Sequence, residues 1–162
     1  MELVENGKTA PNFTYVDING DSISLHNLKG NVIALDFWAI WCKPCIAQMP
    51  DFEKLKSKYK GKDIRFISIS SGKDIDQWRN FVLKNEWKDI QLFTGSPFGE
   101  PQIYYTLDYM PTAALKGTDI NPLLPNIPRY VIIDKDLKIH NNKAPKPGSE
   151  EMDGIIQSLL EK

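Results

Sequence analysis

Apolar and polar residues along this chain change period in a regular order. "NFTYVDINGDSISL" alternates on both sides of Asn19-Gly20, a turn dipeptide, and predicts an N-terminal hairpin. "NVIALDFW" is a dense β-branched and aromatic run with the length of a buried strand. From Pro44 to about Tyr59 the period becomes helical, with Ile46, Met49, Phe52, Leu55 and Tyr59 on one stripe and Gly61 as the stop. Pro50 sits inside that stripe, where its missing N–H should kink the helix. "DIRFISIS" predicts a second buried strand. Asp74, with Gln77 three residues on, opens a helix through "DQWRNFVLKN", and "IQLF" predicts a short third strand.

Thr94 to Pro125 is less periodic. It holds five of the chain's 11 prolines and four aromatics, Phe98, Tyr104, Tyr105 and Tyr109. A structureless loop of about 30 residues is unusual in a compact domain, so one or two short helices are expected there. "PRYVIIDKDLKIH" predicts two strands joined by a tight turn around Asp136. In "GSEEMDGIIQSLLEK", Ser149 is an N-cap, acids fill the first turn, and Ile155, Ile156, Leu159 and Leu160 give a C-terminal helix its apolar residues. The order is hairpin, β-α-β-α-β, hairpin, helix. It predicts an α/β sandwich with a mixed sheet, a single domain over residues 1–162.

Composition narrows the function classes. With 41% hydrophobic and 25% charged residues, 162 residues can build a core without staples. A net charge of −1, with no clustered basic run, gives no electrostatic reason to expect nucleic acid as a partner. The most apolar run, "VIALDFWAIW", is too short to span a membrane and is interrupted by Asp36. "MELVENGKTAP" has no apolar core region and does not read as a signal peptide.

Both cysteines, Cys42 and Cys45, lie in "DFWAIWCKPCIAQMP". Cys42 falls at a predicted helix start, where free backbone N–H groups and the positive helix end favour a thiolate. Such placement in a Cys-X-X-Cys pair lowers the thiol pKa to roughly 3.5–7.5. Cys42 is then the attacking thiolate on a disulfide, and Cys45 resolves the mixed disulfide from within. Pro44 suits the first helical turn, and Lys43 adds a nearby positive charge. Other uses of the pair need residues the chain supplies poorly. Structural zinc needs two more ligands, and only His26 and His140 exist, each far off in sequence. Haem attachment needs a His where Ile46 stands. Two unreactive core cysteines remain an alternative. No metal site is expected.

Asp36 interrupts an apolar strand, so it either lies at a sheet edge bonded to backbone or is buried with a raised pKa. Alternation puts it on the face opposite Phe37. A buried acid near Cys45 would take and return the resolving thiol's proton.

With these residues in hand, "DFWAIWCKPC" followed by Pro50 resembles the thioredoxin active-site segment. That match implies Cys42 as nucleophile, Cys45 as resolving thiol, Asp36 as buried acid, Trp41 as flanking aromatic and Pro50 as the kink. "TAPNFTYVDINGDSISLHNLKGNVIALDFW" resembles the AhpC/TSA and TlpA/ResA-like branch, and "KAPKPGSEEMDGIIQSLL" the ending common in its Bacteroidetes members. "NIPRYVIIDKDLKI" resembles the segment that carries the superfamily's cis-proline, which implies Pro128, with Ile127 before it offering backbone groups to a substrate strand. Pro122 and Pro125 are weaker candidates because no strand follows them directly. The resemblance covers about residues 9–93 and 126–160. It implies a thioredoxin-like sandwich, a central mixed sheet flanked by helices, with an N-terminal hairpin extension and an insertion at about 94–125.

The same resemblance implies a thiol–disulfide oxidoreductase whose substrate is a protein disulfide, recharged by an upstream thiol donor. It needs no cofactor beyond the redox-active Cys42–Cys45 disulfide. Lys43-Pro44 places no His between the cysteines, which by analogy favours a reductant. A monomer is expected, in the periplasm or cell envelope with a targeting segment outside this chain, or alternatively in the cytoplasm. Two departures stand out besides the long 94–125 segment. Relatives of this branch often carry Glu where Gln48 stands, three residues after Cys45, and often lack an acid at the place of Asp36. Two other readings use the same fold. A peroxidase of the related branch would have Thr or Ser at Ala39, and a copper carrier would need His140 near the pair.

Overall fold

The computed structural model describes residues 4–87, 90–95, 107–109, 123–125 and 127–162. The chain enters as a hairpin, β1 (Thr14–Asp17) and β2 (Ser22–Ser24), followed by a 3-10 turn at Leu25–Leu28. Then come β3 (Val32–Ala39), α1 (Lys43–Lys58), β4 (Ile64–Ser71), α2 (Ile75–Lys84) and β5 (Ile90–Phe93). Two short strands, β6 (Leu107–Tyr109) and β7 (Leu123–Pro125), pair with each other. The chain ends with β8 (Arg129–Ile133), β9 (Ile139–Asn141) and a last helix, α3 (Glu150–Leu160).

Local chemistry explains most of these boundaries. An aspartate carboxylate shapes each hairpin turn: Asp17 Oδ1 accepts from the N–H groups of Asn19 and Asp21 at 2.8 and 2.9 Å. Asp134 Oδ1 does the same for Asp136 and Lys138, at 2.9 and 2.9 Å. Gly20 turns the first hairpin with a positive φ of 85°. Asp74 caps α2, accepting from Asp76 and Gln77 N–H at 3.0 Å each, and Ser149 caps α3 through Met152 N–H at 3.2 Å. Helix α1 is unbroken across Pro50.

The main sheet has the order β2-β1-β5-β4-β3-β8-β9. Strands β3, β4 and β5 run parallel, while β1 joins β5 and β8 joins β3 antiparallel, so the sheet is mixed as the pattern predicts. Because β3, β4 and β5 step in one direction and crossovers are right-handed, α1 and α2 must cover the same face. Helix α3 joins them there: Met49, Phe52, Trp78, Val82, Met152 and Ile156 pack into one cluster with Val32, Ala34 and Trp38 of β3. The opposite face packs Ile33, Leu35 and Phe37 against the N-terminal Val4, Phe13 and Leu25. The short helices expected between Thr94 and Pro125, with Phe98, Tyr104 and Tyr105, lie outside the described residues. What is described there, β6 and β7, is strand.

Phe52 is fully buried below α1, its ring 5.6 Å from Phe66 edge-on and 6.1 Å from Tyr130. We expect Phe52→Ala to cost about 3–5 kcal/mol in urea unfolding with an unchanged m-value; a loss under about 1 kcal/mol would mean that this packing is not the seat of α1.

Candidate active site

Strand β3 and helix α1 meet at the two cysteines. Cys42 N–H donates back to Ala39 O at 2.9 Å, closing the turn that follows β3, and Cys42 is the N-cap of α1. Cys42 and Cys45 form a disulfide, S–S 2.05 Å, with Cα atoms 5.3 Å apart. Cys45 N–H points at Cys42 Sγ, 3.3 Å away. That N–H is one of the donors a helix start leaves without an internal partner, and it faces the atom that would carry negative charge in the reduced pair. Pro44 lies in the first helical turn, where its missing N–H costs little. Lys43 and Pro44 are exposed, whereas Cys42 and Cys45 are 4% and 2% exposed. Trp41 stands out of the surface at 69% exposure beside them.

Asp36 is buried on a central strand, between Ser68 of β4 and Tyr130 of β8, so the sheet-edge alternative does not hold. Phe37 faces the other cluster, which puts Asp36 on the side covered by α1 and shared with both cysteines. Burial pushes its carboxyl up from 3.8 to about 7, against the Ser68 hydrogen bond and the Lys56 charge, which pull it down, and with a smaller push from Glu53. Ser68 Oγ donates to Asp36 Oδ2 at 3.2 Å. Lys56 on α1 is itself buried and ion-paired with Glu53 at 2.7 Å.

The peptide bond Ile127–Pro128 is cis. Arg129 is paired with Phe37, so the cis bond lies one step further along, beside the end of β3 that leads to Cys42. The structure thus gathers Trp41, Cys42, Lys43, Pro44, Cys45, Ile127 and Pro128 at one end of the parallel strands, with Asp36 three residues before the end of β3. A cleft of about 270 Å³ opens on the α2 side of Trp41, between Ile40, Phe93 and Lys73. Clefts of about 370 and 390 Å³ lie around Tyr59–Asp63, at the other end of α1 from the chemistry. His140 is on β9, whose pairing with Ile132 and Ile133 sets it by the Ile33 end of β3, away from the pair. Among the described residues, no group of three or more His, Cys, Asp or Glu side chains is placed to hold a metal ion.

Sequence reasoning passed over three polar residues level with the acid. Tyr130 Oη donates to Gln48 Oε1 at 2.7 Å, and burial, with the Asp36 and Asp51 charges behind it, pushes that phenol up. Ser68 lies beside the acid, and Gln91 lies one strand further on, paired with Ser68. The alternation in "FISIS" held a signal: its serines share one parity and therefore one face of β4.

A disulfide closing the first turn of a helix, at the end of a parallel strand and beside a cis-proline, defines a thiol–disulfide oxidoreductase of thioredoxin fold. The chain belongs to the Redoxin family, whose model matches residues 5–156. It is 31% identical over 160 residues to a thiol-disulfide oxidoreductase ResA of Bacillus cereus, covering 98% of this chain and 80% of that protein. The crystal structure of a Bacteroides vulgatus protein assigned as a thiol-disulfide oxidoreductase superposes with a TM-score of 0.77 at 32% identity, over 97% of this chain and 98% of that one. A solution structure from the same organism, with the same assignment, gives 0.73 at 34% identity, over 99% and 94%.

The raised Asp36 pKa has a consequence for stability. The folded protein keeps a proton that the unfolded chain releases between pH 3.8 and about 7, so stability from this group is full below 3.8 and lost as pH rises through about 7. We expect oxidised Asp36→Asn to be more stable than the parent at about pH 8.5, by up to on the order of 4 kcal/mol, and the gap to close as pH falls below about 5. Urea unfolding across that range checks it, and a gap independent of pH would contradict it.

Proposed function

We propose that this protein reduces disulfides of other proteins in the cell envelope, acting as a monomer and recharged by an upstream thiol donor. Cys42 thiolate attacks one sulfur of the substrate disulfide. The Cys42–substrate bond forms, the substrate S–S bond breaks, and one substrate thiolate leaves. Asp36, as carboxylate, then takes the proton of Cys45, whose thiolate attacks Cys42 Sγ and expels the second substrate thiolate. Two electrons have passed to the substrate, and Cys42–Cys45 is again a disulfide for the thiol donor to reduce. No further cofactor is involved.

The observation that carries this reading is the Cys42–Cys45 disulfide at the start of α1; a carboxyl on the same side of β3, pushed up by burial to about 7, supports it, because an acid–base group works best near ambient pH. The cis Ile127–Pro128 bond and exposed Trp41 flank the sulfurs, which supports a substrate backbone laid along Ile127 in strand fashion, with Trp41 as its apolar contact. Lys43 adds a charge that favours the Cys42 thiolate. One chain supplies all of these residues, consistent with a monomer. The similarity to ResA favours the envelope; among the described residues no helix is long and apolar enough to cross a membrane.

Catalysed reduction of insulin by dithiothreitol tests the roles. Cys42→Ser should fall to the uncatalysed rate, whereas Cys45→Ser should accumulate a mixed disulfide visible by mass spectrometry; continued catalysis by Cys42→Ser would displace it as nucleophile. For Asp36→Asn we expect release of the mixed disulfide to slow on the order of 100-fold and to lose its inflection near pH 7. An unchanged pH profile would remove Asp36 from proton transfer. Equilibration with glutathione decides direction: a potential near about −270 mV fits a reductant, and one near about −120 mV would make the protein an oxidant.

A further inference from the structure

One rung of the sheet is polar across four strands on the face that the helices cover. The register sets Tyr130 of β8 beside Asp36, Asp36 beside Ser68, and Ser68 beside Gln91 of β5. All four are buried, at 5%, 2%, 0% and 1% exposure. The rung on one side is Ile132, Ala34 and Phe66, and on the other it is Trp38, Ser70 and Phe93. Polarity is therefore concentrated at the level of the acid. Tyr130 turns its hydroxyl to Gln48, and Ser68 turns its hydroxyl to Asp36. Gln91 is different: neither its amide nitrogen nor its amide oxygen has a hydrogen-bond partner among the described residues. A buried amide in that condition is unfavourable, and Met would fill the same space without the penalty.

We propose that Gln91 sets the proton affinity of Asp36 as a positioning residue, acting through Ser68. When Ser68 donates to Asp36, its oxygen still has lone pairs to accept, and Gln91 stands beside it on the next strand. A single water held between them, accepting from the Gln91 N–H and donating to Ser68 Oγ, polarises that hydroxyl and strengthens its bond to the ionised carboxylate. The chain Gln91–Ser68–Asp36 thus favours the charged acid and offsets part of what burial does to it. The other groups facing Asp36 are Tyr130 from β8 and the Lys56–Glu53 pair from α1, with Asp51 near Tyr130. Tyr130 is occupied by Gln48, and Lys56 and Glu53 act on Asp36 in opposite directions. The polar contact that can be tuned from outside the site is Ser68.

The proposal gains its catalytic meaning from Asp36 as the proton carrier, but its test does not need that role. In the oxidised protein the cysteines do not titrate, and the carboxyl carbon of Asp36 can be followed by carbon NMR against pH. We expect Gln91→Met to raise the Asp36 midpoint by about half a pH unit and Ser68→Ala by about one. In the double variant, Gln91→Met should add nothing to Ser68→Ala. An unmoved midpoint in Gln91→Met overturns the proposal. An equal shift from Gln91→Met with or without Ser68 overturns it too, since Gln91 would then act by another route. Both variants are checked for native unfolding midpoints, and Ser68→Thr, which keeps the hydroxyl, should titrate like the parent. If the midpoint moves as expected while the pH profile of insulin reduction stays put, Gln91 keeps its effect and Asp36 loses its part in turnover.

Discussion

A carboxyl group buried on a central strand, directly beneath the helix that begins with the reactive pair, is the constraint on which the rest of this structure depends. All eight positions of β3 are buried, and Asp36 has β4 on one side and β8 on the other. Bulk solvent is excluded there, so the group responds to whatever the neighbouring strands and α1 present. The same strand ends at Ala39, whose carbonyl receives Cys42 N–H as the chain turns into α1. One rigid element therefore fixes both the acid and the helix start that holds the sulfur. Preorganisation here comes from the ladder, because no flexible loop separates the two groups.

Two neighbours and burial then act on the acid in different ways. Ser68 stabilises its charged form, Lys56 does so at longer range, and burial opposes both with the larger effect. Gln48 on α1 accepts a hydrogen bond from Tyr130. That amide cannot titrate, and it holds the Tyr130 phenol in place.

Much of this was legible in the residues. Alternation and helical stripes located the hairpins, the three parallel strands and the three described helices within a residue or two, because these elements rest on local periodicity and on side-chain caps such as Asp74 and Ser149. The Cys-X-X-Cys spacing, Pro44 and the helix start carried the reaction class. Pro128 was identified by resemblance to a segment, and the strand at Arg129 places its cis bond beside the pair. The polar rung was not legible, since Ser68, Gln91 and Tyr130 lie far apart along the chain and meet only through strand register.

Outside Thr94–Pro125, the sequence by itself determined which segments are strands and helices, that its two thiols pair, and that an acid interrupts the strand before them. Those properties depend on spacings of a few residues. Tertiary structure alone decided that the strand is central, that the N-terminal hairpin pairs with β5, and that all three described helices cover the face bearing Asp36. It also decided the proton affinity of that acid, which reflects desolvation and a serine brought from 32 residues away. Register between strands and exclusion of water are properties of the packed chain, and no short window of residues encodes them.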